Sequence, residues 1–287
     1  MAITVFGGRG FVLGEYIKQY YHHAVGNIAS VNAREDHIVY SEDVLYGVST
    51  VHNYNVFTDP QLDLTTNLNL LVKVLDYWKI WQEHNEKRGV FNFLSSWSVY
   101  GNQEHLPVPE TAVCDPHGWY IVTKRCAEQL LMEYCSLFGL KYRILRLANI
   151  VGPGDTKASP QKNVLQYSIN RLAEGKDAEL FGDGKFYRDF MHVKDCADAI
   201  EWCLVKGKTN EIYNLGNGHP VFYYKDILEY AKHLLKSSGN IVFKEPTEFQ
   251  KRVPVSSFYM DVSKLHKLGF HSELTGTGLY RAVILGE

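Results

Sequence analysis

The sequence has few of the features that mark several large classes of protein. Only five of its 287 residues are cysteine, and none forms a CxxC pair, so neither a disulfide framework nor a zinc site is expected. The formal net charge of -2 gives no reason to expect a nucleic-acid or membrane surface. No apolar run approaches the ~20 residues of a membrane span, and the first run is too short for a signal peptide. These absences predict a cytoplasmic protein with no metal site, nucleic-acid partner or membrane anchor.

Apolar runs that alternate with helical patterns organise the first half of the chain. This alternation predicts a parallel sheet covered by helices, in an α/β fold. The segment "GPGD", residues 152–155, then breaks the pattern, and shorter mixed elements follow. We therefore expect one domain over residues 1–150 and a second over residues 151–287. After the first strand at Ile3 to Phe6, the predicted strands lie at 28–31, 44–48, 90–94 and 142–147.

The connection between the second and third of these strands is short. Only the segment "AREDHIVYSE", residues 33–42, separates them. A crossover between parallel neighbours usually needs a dozen or more residues and a helix. Either this region lacks a strand or helix of a standard doubly wound half, or it is irregular.

The stretch "VFGGRGFVLGE", residues 5–15, predicts a strand, a tight glycine loop and a helix. Glycine lets the backbone come close to a ligand, and the first amides of the helix suit a pyrophosphate. The loop is either a nucleotide site or simply a turn.

A helix is predicted from Trp119 to Gly139, and it places Tyr120 and Lys124 one turn apart on one face. A neighbouring ammonium favours phenolate, and a shift of about three pKa units corresponds to roughly 4 kcal/mol. With 19 tyrosines in the chain, the pair could also arise by chance. The serines of "SSWS", residues 95–98, end a predicted strand at the edge where open α/β sheets bind ligands.

Taken in order, these motifs resemble the extended short-chain dehydrogenases/reductases, in the group of nucleotide-sugar epimerases, dehydratases and reductases. The resemblance implies a doubly wound, Rossmann-type nucleotide-binding domain followed by a smaller substrate domain. It also implies a nicotinamide cofactor and a nucleotide-diphosphate sugar as ligands, and we expect a homodimer. Further matching segments are "DPQLDLTTNLNLLVKVL", "SSWSVYG", "PVPET", "LRLANIVGPGD", "FGDGKFYRDFMHVKDCADAI", "IYNLGNG" and "MDVSKLHKLGF".

The resemblance also implies a role for particular residues. Tyr120 would be the acid/base, Lys124 would lower its pKa and bind the nicotinamide ribose, and Ser96 would orient the sugar. Asn67 would support the catalytic site or its bound water, beside the cofactor. The residues expected to contact the diphosphate sugar are Asn149, Asn163 and Arg188.

The glycine loop departs from the family pattern GxxGxxG. Leu13 stands where the third glycine would be, and Gly14 follows it. Because that glycine permits close packing of helix on strand, we expect the helix to be shifted or to start one residue later. The expected pyrophosphate contacts are those of Gly7, Gly10, Phe11 and Val12.

Three residues bear on the choice of cofactor. Members of the family that prefer NAD carry an acidic residue at the end of the second strand, where this chain has Asn32. Arg9 and Arg34 could pair with a 2'-phosphate instead. We therefore predict NADP, with NAD as the alternative.

The residues after Ser96 separate this chain from the dehydratases of the group, which have acidic residues there. Trp97 and Ser98 occupy those places, so a 4,6-dehydratase is not expected. Trp97 and Trp119 are either buried structural indoles or walls of the cleft. The leading hypothesis is an epimerase that works by transient oxidation of a sugar hydroxyl. The alternatives are an NADPH-dependent reductase of a nucleotide-linked keto-sugar and a non-catalytic cofactor-binding regulator, although a regulator would not need Ser96, Tyr120 and Lys124.

Overall fold

The computed structural model describes residues 2–21, 28–31, 37–220, 222–248, 251 and 257–287. Its strands are β1 (Ile3–Phe6), β2 (Ile28–Val31), β3 (Asp43–Tyr46), β4 (Val90–Ser96), β5 (Lys141–Leu147), β6 (Asn149–Val151), β7 (Ala178–Phe181), β8 (Phe190–His192), β9 (Glu211–Leu215) and β10 (Ile241–Lys244). Its α-helices are α1 (Phe11–Tyr21), α2 (Gln61–Asp63), α3 (Leu70–His84), α4 (Trp119–Phe138), α5 (Val164–Ala173), α6 (Val193–Lys206), α7 (Tyr224–Leu235), α8 (Ser263–Lys267) and α9 (Gly276–Leu285).

Six parallel strands form the central sheet in the order β2-β1-β3-β4-β5-β9. The chain builds outward from β1 to β2 on one side and through β3, β4 and β5 on the other. The strand order therefore reverses between β1 and β3. In open sheets of this kind, ligands bind at that point, outside the carboxyl ends of the strands.

Helices cover both faces of the sheet. On one face α1 packs beside α6, and the Tyr16 hydroxyl donates to Glu201 Oε2 at 2.7 Å. On the other face α3 and α4 share a buried cluster with the strands, which includes Trp78, Phe91 and Leu131. This arrangement confirms the predicted Rossmann-type fold.

A smaller layer follows β5 in the chain. It contains two pairs of parallel strands, β7 with β10 and β6 with β8. Its own buried cluster joins α5, α7 and α9 through residues such as Ile169, Leu228 and Val283.

A single cut at residue 150 does not separate these two parts, because β9 and α6 lie after it and belong to the large sheet and its covering layer. The strand β9 pairs with β5 from Arg143 to Leu147 and so bonds the backbone groups along that edge of β5. The chain therefore returns to the first domain after it has begun the second.

The predicted strands and the central helix agree with the structure to within a few residues. The helix predicted to end at Gly139 ends at Phe138, with Gly139 at φ 65 as its left-handed cap. The short connection between β2 and β3 is described only over residues 37–42, where no strand or helix is present. Asn32 and Arg34 lie outside the described residues. None of the described helices is long and apolar enough to cross a membrane.

Leu13, which stands where the family has its third glycine, packs against a different glycine. Its side chain is buried, and a Cβ built on Gly47 would lie 2.5 Å from Leu13 Cδ1. Gly47 follows β3 and donates its N–H to Phe6 O at 2.9 Å. A third glycine on the helix would permit close packing of helix on strand. Here the small residue is Gly47, on the strand side. The helix α1 begins at Phe11. Whether α1 is displaced relative to the family that the sequence resembles stays a prediction.

We expect Gly47→Ala to lower the free energy of unfolding by about 1–3 kcal/mol, because the new methyl group overpacks a filled site. In a Leu13→Ala background the same change should cost much less. Urea denaturation of the two single variants and the double variant measures this coupling. Gly278→Ala is the control, because a Cβ there meets nothing within 4 Å. Equal costs of Gly47→Ala in both backgrounds would contradict the packing account.

Candidate active site

Tyr120 is the second residue of α4, and it lines the same cleft as Ser96. Burial raises the pKa of Tyr120 to about 12, while the hydroxyls of Ser49 and Ser96 act to lower it. The buried carboxylate Asp63 raises it further. Burial is the largest cause of this shift, and a lowering of the Tyr120 pKa by Lys124 stays a prediction.

Lys124 lies one turn further along α4 and is almost completely buried, with 3% of its surface exposed. Its ammonium is 4.4 Å from the centre of the Phe93 ring. Burial lowers the Lys124 pKa to about 7, and the carboxylate of Glu128, another turn along the helix, acts in the opposite direction.

Glu128 is itself held in a buried ion-pair cluster. Arg146 contacts its two oxygens from Nε at 2.9 Å and Nη2 at 2.7 Å, and Arg125 Nη1 contacts it at 2.7 Å. These arginines hold the pKa of Glu128 below its usual range despite burial. The carboxylate one turn below Lys124 is therefore charged at neutral pH.

Ser96 ends β4 and caps the short 3-10 helix Trp97–Tyr100. Its hydroxyl accepts from the Ser98 N–H at 3.3 Å and lies 2.9 Å from the Ser98 hydroxyl. The structure therefore brings the three predicted catalytic residues, Ser96, Tyr120 and Lys124, to one region at the carboxyl edge of the sheet.

Asn67 supports this region through its side chain. It lies in a π-helix, Leu64–Asn69, that joins α2 to α3; such segments are frequent at functional sites. Its Oδ1 accepts from Ser49 Oγ at 3.0 Å and Thr50 N at 2.8 Å. Its Nδ2 donates to the hydroxyls of Thr50 and Thr123, both at 2.9 Å. A direct contact of Asn67 with cofactor stays a prediction.

Sequence reasoning missed Ser49, Thr50 and Thr123. A signal was present for the first two, because a Ser-Thr pair directly follows a predicted strand at the ligand-binding edge. Thr123 gave no signal, since a threonine inside a helix is ordinary.

A cleft of about 290 Å³ opens beside Ser96 and Tyr120. Arg188, from the smaller layer, reaches the same cleft and is 5% exposed. The other residues that line it are Val51, His52, Asn53, Tyr54, Trp97, Ser98, Gly101, Asn102, His117, Ile121, Gln161 and Phe258.

The Arg188 guanidinium lies among aromatic rings. Its Cζ is 5.4 Å from the centre of the Trp97 ring and 4.9 Å from that of Phe186, and Nη1 donates to Tyr187 O at 2.8 Å. Burial lowers the Arg188 pKa to about 9, so the side chain is still a cation at neutral pH.

The two tryptophans near the catalytic residues differ in position. Trp97 lines the cleft, and its ring centre is 4.7 Å from that of Phe258. Trp119 lies at the surface, where its Nε1 donates to Pro60 O at 3.0 Å. Of these two tryptophans, Trp97 is thus a wall of the cleft, and Trp119 is not among the residues that line it.

Asn149 and Asn163 are not among the residues that line this cleft. Asn149 Nδ2 donates to Asp189 O at 3.0 Å, while Asn163 Nδ2 donates to Ile150 O at 3.2 Å and Asp155 Oδ2 at 3.0 Å. Both amides thus hold backbone and loop in place, and a substrate contact of either stays a prediction.

The glycine loop between β1 and α1 lies at the same edge of the sheet. Gly7 has φ 92, a conformation that glycine adopts readily, and Gly10 N donates to Gly7 O at 2.9 Å. The first amides of a helix have no acceptor within it, which applies to Phe11 and Val12, and no acidic residue lies in the first turn. Arg9 is exposed beside them. This donor set fits the pyrophosphate of a dinucleotide.

Among the residues that the structure describes, no group of three His, Cys, Asp or Glu side chains is arranged to hold a metal ion.

Comparison with known proteins identifies a family for the chain. The model of the "NAD dependent epimerase/dehydratase family" matches residues 44–216, more than half of the chain. A putative UDP-glucose 4-epimerase of Methanocaldococcus jannaschii is 27% identical over 233 residues, which are 81% of this chain and 72% of that protein. Against several further relatives the chain spans about half of their length.

Two solved structures share the fold over the whole chain. One is a UDP-glucose 4-epimerase of Thermotoga maritima with UDP-glucose, at a TM-score of 0.83 and 23% identity, covering 100% of this chain and 97% of that one. The other is RMD of Pseudomonas aeruginosa complexed with NADPH, at a TM-score of 0.81 and 21% identity, covering 100% and 98%.

The buried Lys124 makes stability depend on pH. Because its pKa is lower in the folded protein, about 7 against 10.5, the cost of burying the ammonium is fully present below about pH 7 and disappears as the pH rises towards 10.5. We expect Lys124→Met to raise the free energy of unfolding by a few kcal/mol near pH 7, at about 1.4 kcal/mol per pKa unit.

The gain should shrink as the pH rises from 7 to 10, as followed by urea denaturation at each pH. Lys73→Met, at an exposed position of α3, is the matched control and should show no such trend. A gain from Lys124→Met that stays constant over this range would contradict the lowered pKa.

Proposed function

Because the chain belongs to the NAD dependent epimerase/dehydratase family, we propose that it is a nucleotide-sugar epimerase that works by transient oxidation of a sugar hydroxyl. One observation carries the proposal: Tyr120, Ser96 and Arg188 line the same cleft. A proton-transfer group, a hydroxyl donor and a cation for phosphate are thus present in one place.

The residues that would hold the cofactor lie along the carboxyl edge of the sheet. The amides of Phe11 and Val12, with the loop at Gly7 and Gly10, would hold its pyrophosphate, and Lys124 would hold the nicotinamide ribose. When bound, a nicotinamide cofactor takes a hydride from a sugar carbon and returns it.

The proton moves through Tyr120. As phenolate, it takes the proton of the sugar hydroxyl while that carbon is oxidised, and it gives the proton back when the carbon is reduced. Ser96 holds the sugar oxygen in place. A charged Lys124 one turn away would favour the phenolate. Burial lowers the Lys124 pKa to about 7, and a bound ligand with acceptor oxygens would favour the charged ammonium.

Arg188 is the residue we assign to the diphosphate of the substrate. A planar guanidinium suits bidentate contact with phosphate, and its place among Trp97 and Phe186 fixes its direction. The T. maritima structure of similar fold holds UDP-glucose. We therefore propose a nucleotide-diphosphate sugar as substrate.

A reductase of a nucleotide-linked keto-sugar is the second candidate. The observation that favours it is the exposed Arg9 beside the first turn of α1, which suits the 2'-phosphate of NADPH. The P. aeruginosa structure of similar fold holds NADPH. Such an enzyme would only reduce the keto-sugar, without a preceding oxidation of the sugar hydroxyl.

The remaining two alternatives are less well supported. A 4,6-dehydratase needs an acid and a base after Ser96, whereas Trp97 is packed against Phe258 and Ser98 is bonded to Ser96. A non-catalytic regulator would not need Tyr120 in the cleft or the buried Lys124, since burial of an ammonium is unfavourable for folding.

We also propose a homodimer. The outer faces of α3 and α4 expose large apolar side chains, among them Ile80, Leu130 and Leu137, and pairing of these faces would remove them from water. A cytoplasmic location stays a prediction.

We expect Tyr120→Phe to lower the rate of epimerisation at least about 10²-fold, because it removes the proton-transfer group and little volume. Rates are measured with UDP-, GDP-, CDP- and dTDP-sugars. Tyr134→Phe is the matched control: it removes a hydroxyl from the same helix, where that group contacts Asp76 at 3.1 Å. Retention of a tenth or more of the activity by Tyr120→Phe would contradict the assigned role.

The same assay separates the two candidate enzymes. An epimerase inverts its substrate without net use of added NADPH, whereas a reductase consumes one NADPH for each sugar that it reduces.

We expect Arg9→Ala to reduce the preference for NADP over NAD by roughly tenfold, because a hydrogen bond to a charged group contributes ~1.5–3 kcal/mol and an exposed pair is partly screened. Calorimetric titration of both cofactors measures the ratio. Lys18→Ala, which removes an exposed cation further along α1, is the control. If the protein with Arg9 intact binds NAD as tightly as NADP, the cofactor preference is wrong.

A further inference from the structure

Asp189 is a buried carboxylate of the smaller layer that takes no part in the proposed proton transfer. It lies between Arg188 and the strand β8, and 1% of its surface is exposed. Its Oδ1 accepts from Asn217 N at 2.9 Å, and its Oδ2 accepts from Gly218 N and Met260 N, both at 3.2 Å. The carboxylate thus joins three segments of the chain: the residues before β8, the residues after β9 and the segment that contains Met260.

The backbone after β9 fits closely around this carboxylate. A Cβ built on Gly216 would lie 2.6 Å from Asp189 Oδ2. Gly218 has φ 72, a conformation that glycine adopts readily. These two glycines allow the chain to pass beside the carboxylate with its N–H groups turned to the oxygens.

Two residues that line the cleft lie next to these contacts. Arg188 directly precedes Asp189, and Phe258 is two residues before Met260. Their backbones form a parallel bridge, in which Asp189 N donates to Phe258 O and Phe258 N donates to Tyr187 O, both at 3.1 Å. The contact of the carboxylate with Met260 N extends this pairing. Its other two contacts tie the pair to the end of β9, a strand of the large sheet.

We infer that Asp189 is a positioning residue for the substrate cleft, whose carboxylate holds the wall formed by Arg188 and Phe258 against the large sheet. The inference rests on the proposed function, in which Arg188 binds the diphosphate. A carboxylate can accept from all three N–H groups, whereas a protonated carboxyl or an asparagine amide turns a hydrogen toward at least one of them. Loss of the charge should therefore displace the wall, while the backbone bonds between its two segments remain.

The electrostatics of Asp189 place this change in an accessible pH range. Burial raises its pKa to about 6, while the three N–H groups and the nearby His219 act to lower it. The other ionisable groups near it are Arg188, its neighbour in the chain, and Tyr280 of α9. Because the pKa is above its ordinary value of 3.8, the charge costs stability above about pH 6, and this cost disappears as the pH falls towards 4. Protonation of Asp189 thus favours folding, so a loss of affinity on acidification would not come from unfolding caused by this group.

Calorimetric titration of the full chain with UDP-, GDP-, CDP- and dTDP-glucose at pH 7.5 tests the inference. We expect Asp189→Asn to weaken the binding of a nucleotide sugar about tenfold or more, because a displaced Arg188 loses a hydrogen bond to the charged diphosphate. The affinity for NADP and NAD should not change, since the glycine loop does not contact this wall. A variant that binds the nucleotide sugar as tightly as the unmodified protein would overturn the inference.

The matched control is Asp195→Asn. Asp195 is a buried carboxylate of α6 that also accepts from backbone N–H groups, those of Glu273 at 3.3 Å and Leu274 at 3.0 Å. It does not line the cleft. This variant should leave the affinities for nucleotide sugar and cofactor unchanged, and an equal loss in both variants would indicate a merely structural role for Asp189.

The unmodified protein gives a second measurement, which holds even if Asp189→Asn does not fold. Its affinity for the nucleotide sugar should fall about tenfold between pH 7.5 and 5, with a midpoint near 6. Both phosphates of a nucleotide sugar are diesters, so their charge is constant over this range. Protonation of His52 or His117, which line the cleft, would strengthen the binding of an anion and cannot cause the loss. An affinity that stays constant or rises on acidification would overturn the inference.

Trp97 reports the position of the wall without any substrate, because its ring lies near Arg188 and Phe258. The full chain is labelled with fluorotryptophan, and the Trp97 signal is assigned by its loss in Trp97→Phe. We expect this signal to move on acidification with a midpoint near pH 6, and this step to be absent in Asp189→Asn.

The fluorine signal separates failure of the inference from failure of the proposed function. A Trp97 signal that neither acid nor Asp189→Asn moves would overturn the inference, while the proposed function would stand. A protein that shows the titration and yet binds no nucleotide sugar would overturn the proposed function, while the positioning of the wall by Asp189 would stand.

Discussion

The four hydrogen bonds of the Asn67 amide join three parts of the chain. They tie the π-helix Leu64–Asn69 to the residues after β3 and to the first turn of α4. Every hydrogen-bonding position of this buried amide is used. Because Thr123 is bonded in turn to Tyr120 O, the network fixes the start of the helix that carries the proposed acid/base.

Burial determines the pKa shifts of the two ionisable residues Tyr120 and Lys124. Tyr120 and Lys124 are both shifted toward their neutral forms in the ligand-free protein, so their charges are disfavoured until other groups compensate. Glu128, charged and clamped by two arginines, lies one turn below Lys124. The Tyr120 phenol, a weak acid, and the Lys124 amine, a weak base, thus lie one turn apart on α4. A bound ligand with acceptor oxygens would favour their charged forms, phenolate and ammonium.

Local sequence patterns predicted much of the fold and the place of the candidate site. The spacing of Tyr120 and Lys124, the strand that ends at Ser96 and the glycine loop are properties of single segments, so period and turn chemistry suffice to find them. Local patterns do not predict the contacts between segments that are distant in the sequence. The return of β9 to the sheet, the fit of Leu13 against Gly47 and the contact of Arg188 with Trp97 each depend on tertiary packing.

The central claim is that the sugar is oxidised and reduced again at one carbon within this cleft. A nucleotide sugar that carries deuterium on the carbon to be inverted tests it most directly, by NMR or mass analysis of the product. The account predicts that the inverted product retains the deuterium at that carbon, because the hydride leaves and returns without contact with water. Inversion with loss of the deuterium to water would contradict transient oxidation, as would an intact active protein that inverts no nucleotide sugar.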